Sequence, residues 1–180
     1  MIGKIIITGV GSRETPAPVL HLFTEMTKAM SHALGNRLTI RTGDASGADK
    51  AFRDAGHTLT EVYTPKQEID PKCFEIAARI HPVWDRLNDY AKRLHARNIY
   101  QVVGKSMEWE SDYLVCWTPN GEDIGGTRTA IKYAKELEIP VFNFAKDVDR
   151  IAFQDVLSLW GVDFSIPLES NTKRASAFFS

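Results

Sequence analysis

Residues 4–13 read KIIITGVGSR, and this stretch decides the fold. Lys4 to Val10 is dense in β-branched side chains with little polar alternation, the pattern of a strand covered on both faces. Gly9 and Gly11 break it, and Thr15-Pro16 then supplies a helix N-cap with proline in the first turn. Val19, Leu20, Phe23, Met26, Met30, Ala33 and Leu34 follow at helical spacing until Gly35 stops the helix. The unit is strand, glycine turn, helix.

The unit recurs along the chain. Leu38 to Thr42 reads as a strand, Gly43 to Gly47 as a glycine-containing turn, and Ala48 to Ala55 as a helix ended by Gly56. Leu59 to Thr64 is a third strand and Asp112 to Thr118 a fourth, followed by the loop Pro119–Gly126 and a helix to about Glu138. Pro140 to Phe144 is a fifth strand, and Asp147 to Leu159 a last amphipathic helix. Between strands three and four lies a helical stretch from Pro71 to Val103, which Pro82 splits. Strands alternating with helices predict an α/β, Rossmann-like, mainly parallel sheet with helices on both faces and a helical insertion before strand four. One domain is expected over residues 1–164. Residues 165–180 form a C-terminal tail without periodicity that ends in Phe178-Phe179, either frayed or docked on a neighbouring subunit.

The 180 residues are enough for one domain with a real core, and 43% hydrophobic with 25% charged residues excludes disorder. Lys plus Arg total 22 against 23 acidic residues, a formal charge of −1. From that balance no long nucleic acid is expected as partner. Cys73 and Cys116 stand apart with no metal-ligand spacing, so they read as packing residues, and no disulfide, metal or cofactor is expected. No run reaches the ~18 apolar residues of a membrane helix, so no membrane contact and a cytoplasmic location are expected.

In a doubly wound sheet ligands bind beyond the carboxyl ends of the strands. Three loops there matter: Gly9–Arg13, Thr42–Asp49 and Gly125–Thr129. Each precedes a helix, whose unpaired N–H groups and partial positive charge favour an anion, and glycines let a phosphate approach the backbone.

These segments carry a resemblance. Gly11-Ser12-Arg13, the run Thr42-Gly43-Asp44-Ala45-Ser46-Gly47-Ala48-Asp49, Arg97-Asn98 and Gly125-Gly126-Thr127-Arg128-Thr129-Ala130 occur in that order in the SLOG superfamily. That superfamily groups the Rossmann-like fold of DNA-processing protein A with the Lonely-Guy phosphoribohydrolases. The chain resembles it over about Lys4 to Phe144 and stands nearer the DNA-processing branch, although Tyr100 falls near that branch's second arginine. The resemblance implies recognition of a nucleotide-derived small molecule and a small homo-oligomer. In the Lonely-Guy motif a glutamate takes part in cleaving base from ribose; here Lys132 occupies its place, which argues against transferring that activity.

The candidate ligand-binding residues are Gly11, Ser12, Arg13, Thr42, Gly43, Asp44, Ala45, Asp49, Arg97, Asn98, Trp117, Gly125, Gly126, Thr127 and Thr129; no catalytic residue is assigned. Arg13 is read as the counter-charge of a phosphate. Asp44 and Asp49 address ribose or base, although Asp49 also fits a Ser46-x-x-Asp49 capping box. Arg128, in the first turn of a helix, counts for a nearby anion. Trp117 is either core or a stacking surface, His81 is structural and His95 open, while Trp84, Trp109 and Trp160 are core or interface. The expected function is sensing or sequestering a nucleotide-derived molecule. The alternatives are an N-glycosidase using Asp44, Asp49 or Glu122, and a single-stranded DNA-binding module.

Overall fold

The structure, a computed structural model, describes residues 3–170. Its strands are Ile5–Gly9 (β1), Leu38–Gly43 (β2), Thr60–Tyr63 (β3), Tyr113–Cys116 (β4) and Val141–Asn143 (β5). Its helices are Ala17–Leu34 (α1), Ala48–Asp54 (α2), Pro71–Ile80 (α3), Asp89–Val103 (α4), Arg128–Glu136 (α5) and Asp147–Leu159 (α6). The strands form one parallel sheet in the order β3-β2-β1-β4-β5. The chain steps outward from β1 to β3 and then restarts on the other side of β1 with β4. Strand order therefore reverses between β1 and β4, where adjacent loops diverge and leave a crevice at the carboxyl edge.

Both sheet faces are covered, as the apolar run of β1 requires. One face carries α1, α2 and α6 over a core containing Ile5, Ile7, Phe23, Phe52, Phe144 and Phe153. Phe23 stacks on Phe52 with centroids 4.6 Å apart. The other face carries α3, α4 and α5 over Val10, Leu114, Cys116, Ile99 and Ile131. The expected helical segment before β4 is α3 and α4, parted at Pro82 by a short 3-10 turn, Trp84–Arg86. Asn88 caps α4, its Oδ1 accepting the Ala91 N–H at 2.8 Å. Asn88→Ala is expected to cost about 1 kcal/mol. By calorimetry the melting point should fall by roughly 2–4 °C.

Local expectations fail at two helix starts. Thr15 does not cap α1; its hydroxyl donates to the Ser12 carbonyl at 2.6 Å, and Pro16 occupies the N-cap. No Ser46–Asp49 capping box forms either. Gly47 is the N-cap of α2 at φ 80, and no side chain caps that helix. Trp109 is neither core nor covered within the chain, being 68% exposed. Strand four is also shorter than expected.

The first residues of the expected tail dock on their own chain. Gln154 Oε1 accepts the Ile166 N–H at 2.7 Å, and Arg150 Nη1 donates to the Pro167 carbonyl at 2.8 Å. Phe178 and Phe179 lie outside the described residues. Among the described residues no helix is long and apolar enough to cross a membrane.

Candidate functional site

A cleft of about 470 Å³ opens at the point where strand order reverses. Its walls come from four segments. Val10 to Glu14 follow β1, Ala45 and Asp49 follow β2, and Pro119 and Ile124 to Thr127 follow β4. The fourth is one face of α4, carrying Leu94, Arg97, Asn98 and Gln101. The volume lies within the range of small-molecule sites, roughly 300–1,000 Å³.

The floor is a buried polar network. Arg97 and Asp49 have side chains only 5% and 6% exposed, with Nη1 to Oδ2 at 3.5 Å. Arg97 Nη1 also donates to the Tyr63 carbonyl at 3.0 Å and stands 3.7 Å from Asp44 Oδ1. The Gln101 amide, oriented as its neighbours require, accepts from Arg97 Nη1 at 3.2 Å and from the Gly43 N–H at 2.9 Å; its nitrogen donates to Asn98 Oδ1 at 3.1 Å. Burial raises the Asp49 carboxyl to about 6, against the opposing pull of the Arg97 and Arg53 guanidinium groups. Arg97 Nε is buried without a partner among the described residues.

Gly43 makes this floor possible. A Cβ there would collide with Arg97 Nη1 and Asp49 Oδ2, and would stand 2.6 Å from the Gln101 amide. Asn98 reaches the other way, its Nδ2 donating to the Gly126 carbonyl at 2.6 Å and fixing the glycine loop against α4. That loop is a 3-10 turn, Gly125–Thr127, running straight into α5.

The rim carries both signs of charge in the exposed neighbours Arg13 and Glu14. The Arg13 side chain is exposed and has no ion pair or hydrogen bond among the described residues. The Ser12 N–H is already given to the Trp117 carbonyl at 3.0 Å, and Ser12 Oγ accepts the Glu14 N–H at 3.0 Å. Arg128 does not wait for an anion; its Nε donates to the Asp123 carbonyl at 2.8 Å and braces the loop.

Gly11, Ser12, Arg13, Ala45, Asp49, Arg97, Asn98, Gly125, Gly126 and Thr127 all come together on the cleft. Thr42, Gly43, Asp44, Trp117 and Thr129 are not on its walls. Thr42 is buried, donating to the Gly9 carbonyl at 2.6 Å. The Thr129 hydroxyl meets His95 Nδ1 at 2.7 Å. Trp117 packs on the core beneath α1 and α6. Of the carboxylates weighed for catalysis, Asp49 alone lines the cleft, while Asp44 and Glu122 do not. The wall residues missed in the sequence are Val10, Glu14, Leu94, Gln101, Pro119 and Ile124. Leu94 and Gln101 lie three before and four after Arg97, a helical spacing that marks one face.

The remaining titratable groups nearby are structural. His95 is pushed down to about 4, first by burial and then by His81, Arg128 and Arg97, so it is neutral at physiological pH. Its ring meets His81 edge-on at 4.4 Å. Burial pushes the Cys73 thiol up to about 12 and raises Cys116 as well, which leaves both unreactive.

No family model matches the chain, and no curated protein matches it. A similar solved structure is that of DNA processing protein A from Helicobacter pylori, described for its single-stranded DNA binding mode. The identity is 14%, the TM-score 0.50, and the match covers 78% of this chain and 64% of that one. The chain therefore spans less than two thirds of that structure, and the likeness shows a common Rossmann-like fold. It also corrects one expectation. Excluding a long nucleic acid on a formal charge of −1 does not stand, because this fold occurs in a protein that binds single-stranded DNA. Net charge averages over a whole surface, whereas binding responds to the local field of a cleft.

Proposed function

We propose that the cleft binds a nucleotide through its phosphate, held between Arg13 and the Gly125–Thr127 turn, with Asp49 and Asn98 below it. The observation that carries this reading is Gly126. A Cβ there would meet nothing within 4 Å, and its φ is outside the left-handed region. Neither packing nor backbone conformation within the chain calls for glycine, but a phosphate approaching the backbone beside α5 does. The unpaired Arg13 on the opposite wall supplies the charge. The ordered motifs that resemble the SLOG superfamily support the same assignment. Thr42, Gly43, Asp44, Trp117 and Thr129 enter it as residues that shape the walls from behind. The reading includes a cytoplasmic protein that self-associates, the latter readable by sedimentation.

Arg13→Ala is expected to weaken nucleotide binding by about 1.5–3 kcal/mol, roughly 10- to 150-fold, without changing the melting point. Titration calorimetry with nucleoside mono- and diphosphates measures it, and unchanged affinity removes Arg13 from the site.

A second reading, that the bound nucleotide belongs to a single strand, is favoured by the likeness to a single-stranded DNA-binding protein. Filter binding of an oligothymidine at low salt tests it. Competition by a mononucleotide, together with a loss on Arg13→Ala, would place the strand in this cleft. Release of free base during the titrations would instead identify an N-glycosidase, with Asp49 as the carboxylate on the spot.

A further inference from the structure

The cleft is lined by two chemically different kinds of side chain. Arg13, Asp49, Arg97 and Asn98 are its polar lining, whereas Leu94 of α4 and Ile124 of the opposite loop bring apolar side chains to the same walls. Both are half-buried, so each offers open surface. Continuing along α4 toward its start, the next residue on the stripe of Leu94, Arg97 and Gln101 is Tyr90. At ~100° per residue these four positions fall within about 60° of one another. Tyr90 stands about 6 Å along the axis beyond Leu94.

Tyr90 is 55% exposed. Its side chain has no ring contact or hydrogen bond among the described residues. The turn that carries it is nevertheless fixed. Asn88 caps it, and Arg93 ties it to the segment after β3, donating to the Pro65 and Gln67 carbonyls at 2.6 Å each. An exposed aromatic ring on a rigid helix end costs little entropy to use as a stacking surface.

We infer that the base of the nucleotide lies against Leu94 and Ile124 and stacks on Tyr90, one helical turn beyond the lining residues on the same stripe of α4. This rests on the nucleotide assignment above and adds to it where the base lies, with Tyr90 as a specificity-determining residue. A base presents apolar faces whatever its edge, so stacking selects for a nucleotide over a sugar phosphate while tolerating several bases.

The test compares two probes, adenosine monophosphate and ribose 5-phosphate, on the full chain and on Tyr90→Ala and Tyr90→Phe. The expected result is a loss of roughly 10-fold or more for adenosine monophosphate with Tyr90→Ala. Affinity for ribose 5-phosphate should stay unchanged, and Tyr90→Phe should restore nucleotide binding. Equal binding of both probes by the unaltered protein, or equal effects of Tyr90→Ala on both, overturns the base assignment and leaves the phosphate site standing. If neither probe nor the wider nucleotide panel binds, both readings fall. The substitution is at an exposed position, and coincident melting curves will show that the variants fold.

Discussion

Arg97→Met is expected to destabilise the protein by about 3–5 kcal/mol at pH 8, the cost of leaving a buried charge without its partner. Asp49, 6% exposed, has Arg97 Nη1 3.5 Å away, and it is the carboxylate left behind. The loss should depend on pH in a defined direction. Asp49 titrates near 6 in the folded protein against an ordinary 3.8, so the folded state holds a proton that the unfolded chain releases. That contribution to stability is complete below pH 3.8 and is lost as pH rises through about 6. Removing Arg97 takes away the largest influence keeping Asp49 ionised, so its proton affinity rises further. The variant's deficit should therefore shrink at pH 5, where a neutral carboxyl needs no counter-charge. Urea unfolding at the two pH values measures this, with the double variant Arg97→Met/Asp49→Asn recovering much of the loss at pH 8. An equal deficit at both pH values would mean that lost packing of the arginine stem, not the charge pair, sets the cost.

Gly43→Ala should be nearly as damaging, about 3 kcal/mol, for a steric reason. The added methyl would occupy the space of Arg97 Nη1 and Asp49 Oδ2 at the end of β2. Neither atom can retreat freely, since Arg97 is held by Tyr63 and Gln101, and Arg53 also bonds the Gly43 carbonyl. Gly126→Ala makes the natural contrast. It meets no neighbouring atom, so it should leave the urea midpoint nearly unchanged while lowering nucleotide affinity. If Gly43→Ala proved as mild as Gly126→Ala, the floor would be looser than this packing implies.

The centre of the sheet was legible because burial on both faces leaves a plain mark: the runs of β1 and β2, five and six residues rich in β-branched side chains, are each broken by glycine and followed by a helical period. Pro82 parting α3 from α4 was legible for an equally local reason, since proline cannot continue a helix interior. The capping box at Ser46 misled because the same residue types serve turns and helix starts, and Gly47 takes the N-cap at φ 80 instead. For Trp109 composition could not choose between core and interface, and its 68% exposure removes the core reading. Arg97 and Asn98 came from motif order, whereas Gln101 and Leu94 required only the helical period around them.

From the sequence alone came the alternation, the glycine loops and hence the edge of the sheet on which a ligand would sit, all consequences of periodicity and turn chemistry acting over a few residues. The tertiary structure decided which loop residues face the cleft. Thr42 and Thr129 lie in the right segments yet turn inward, because the phase of a strand end or helix start is set by what packs beneath it. It also decided that Arg97 and Asp49 meet. The crossover from β3 to β4 carries α4 across the ends of β2 and β3, and that passage brings the guanidinium over Gly43, where any side chain would collide with it.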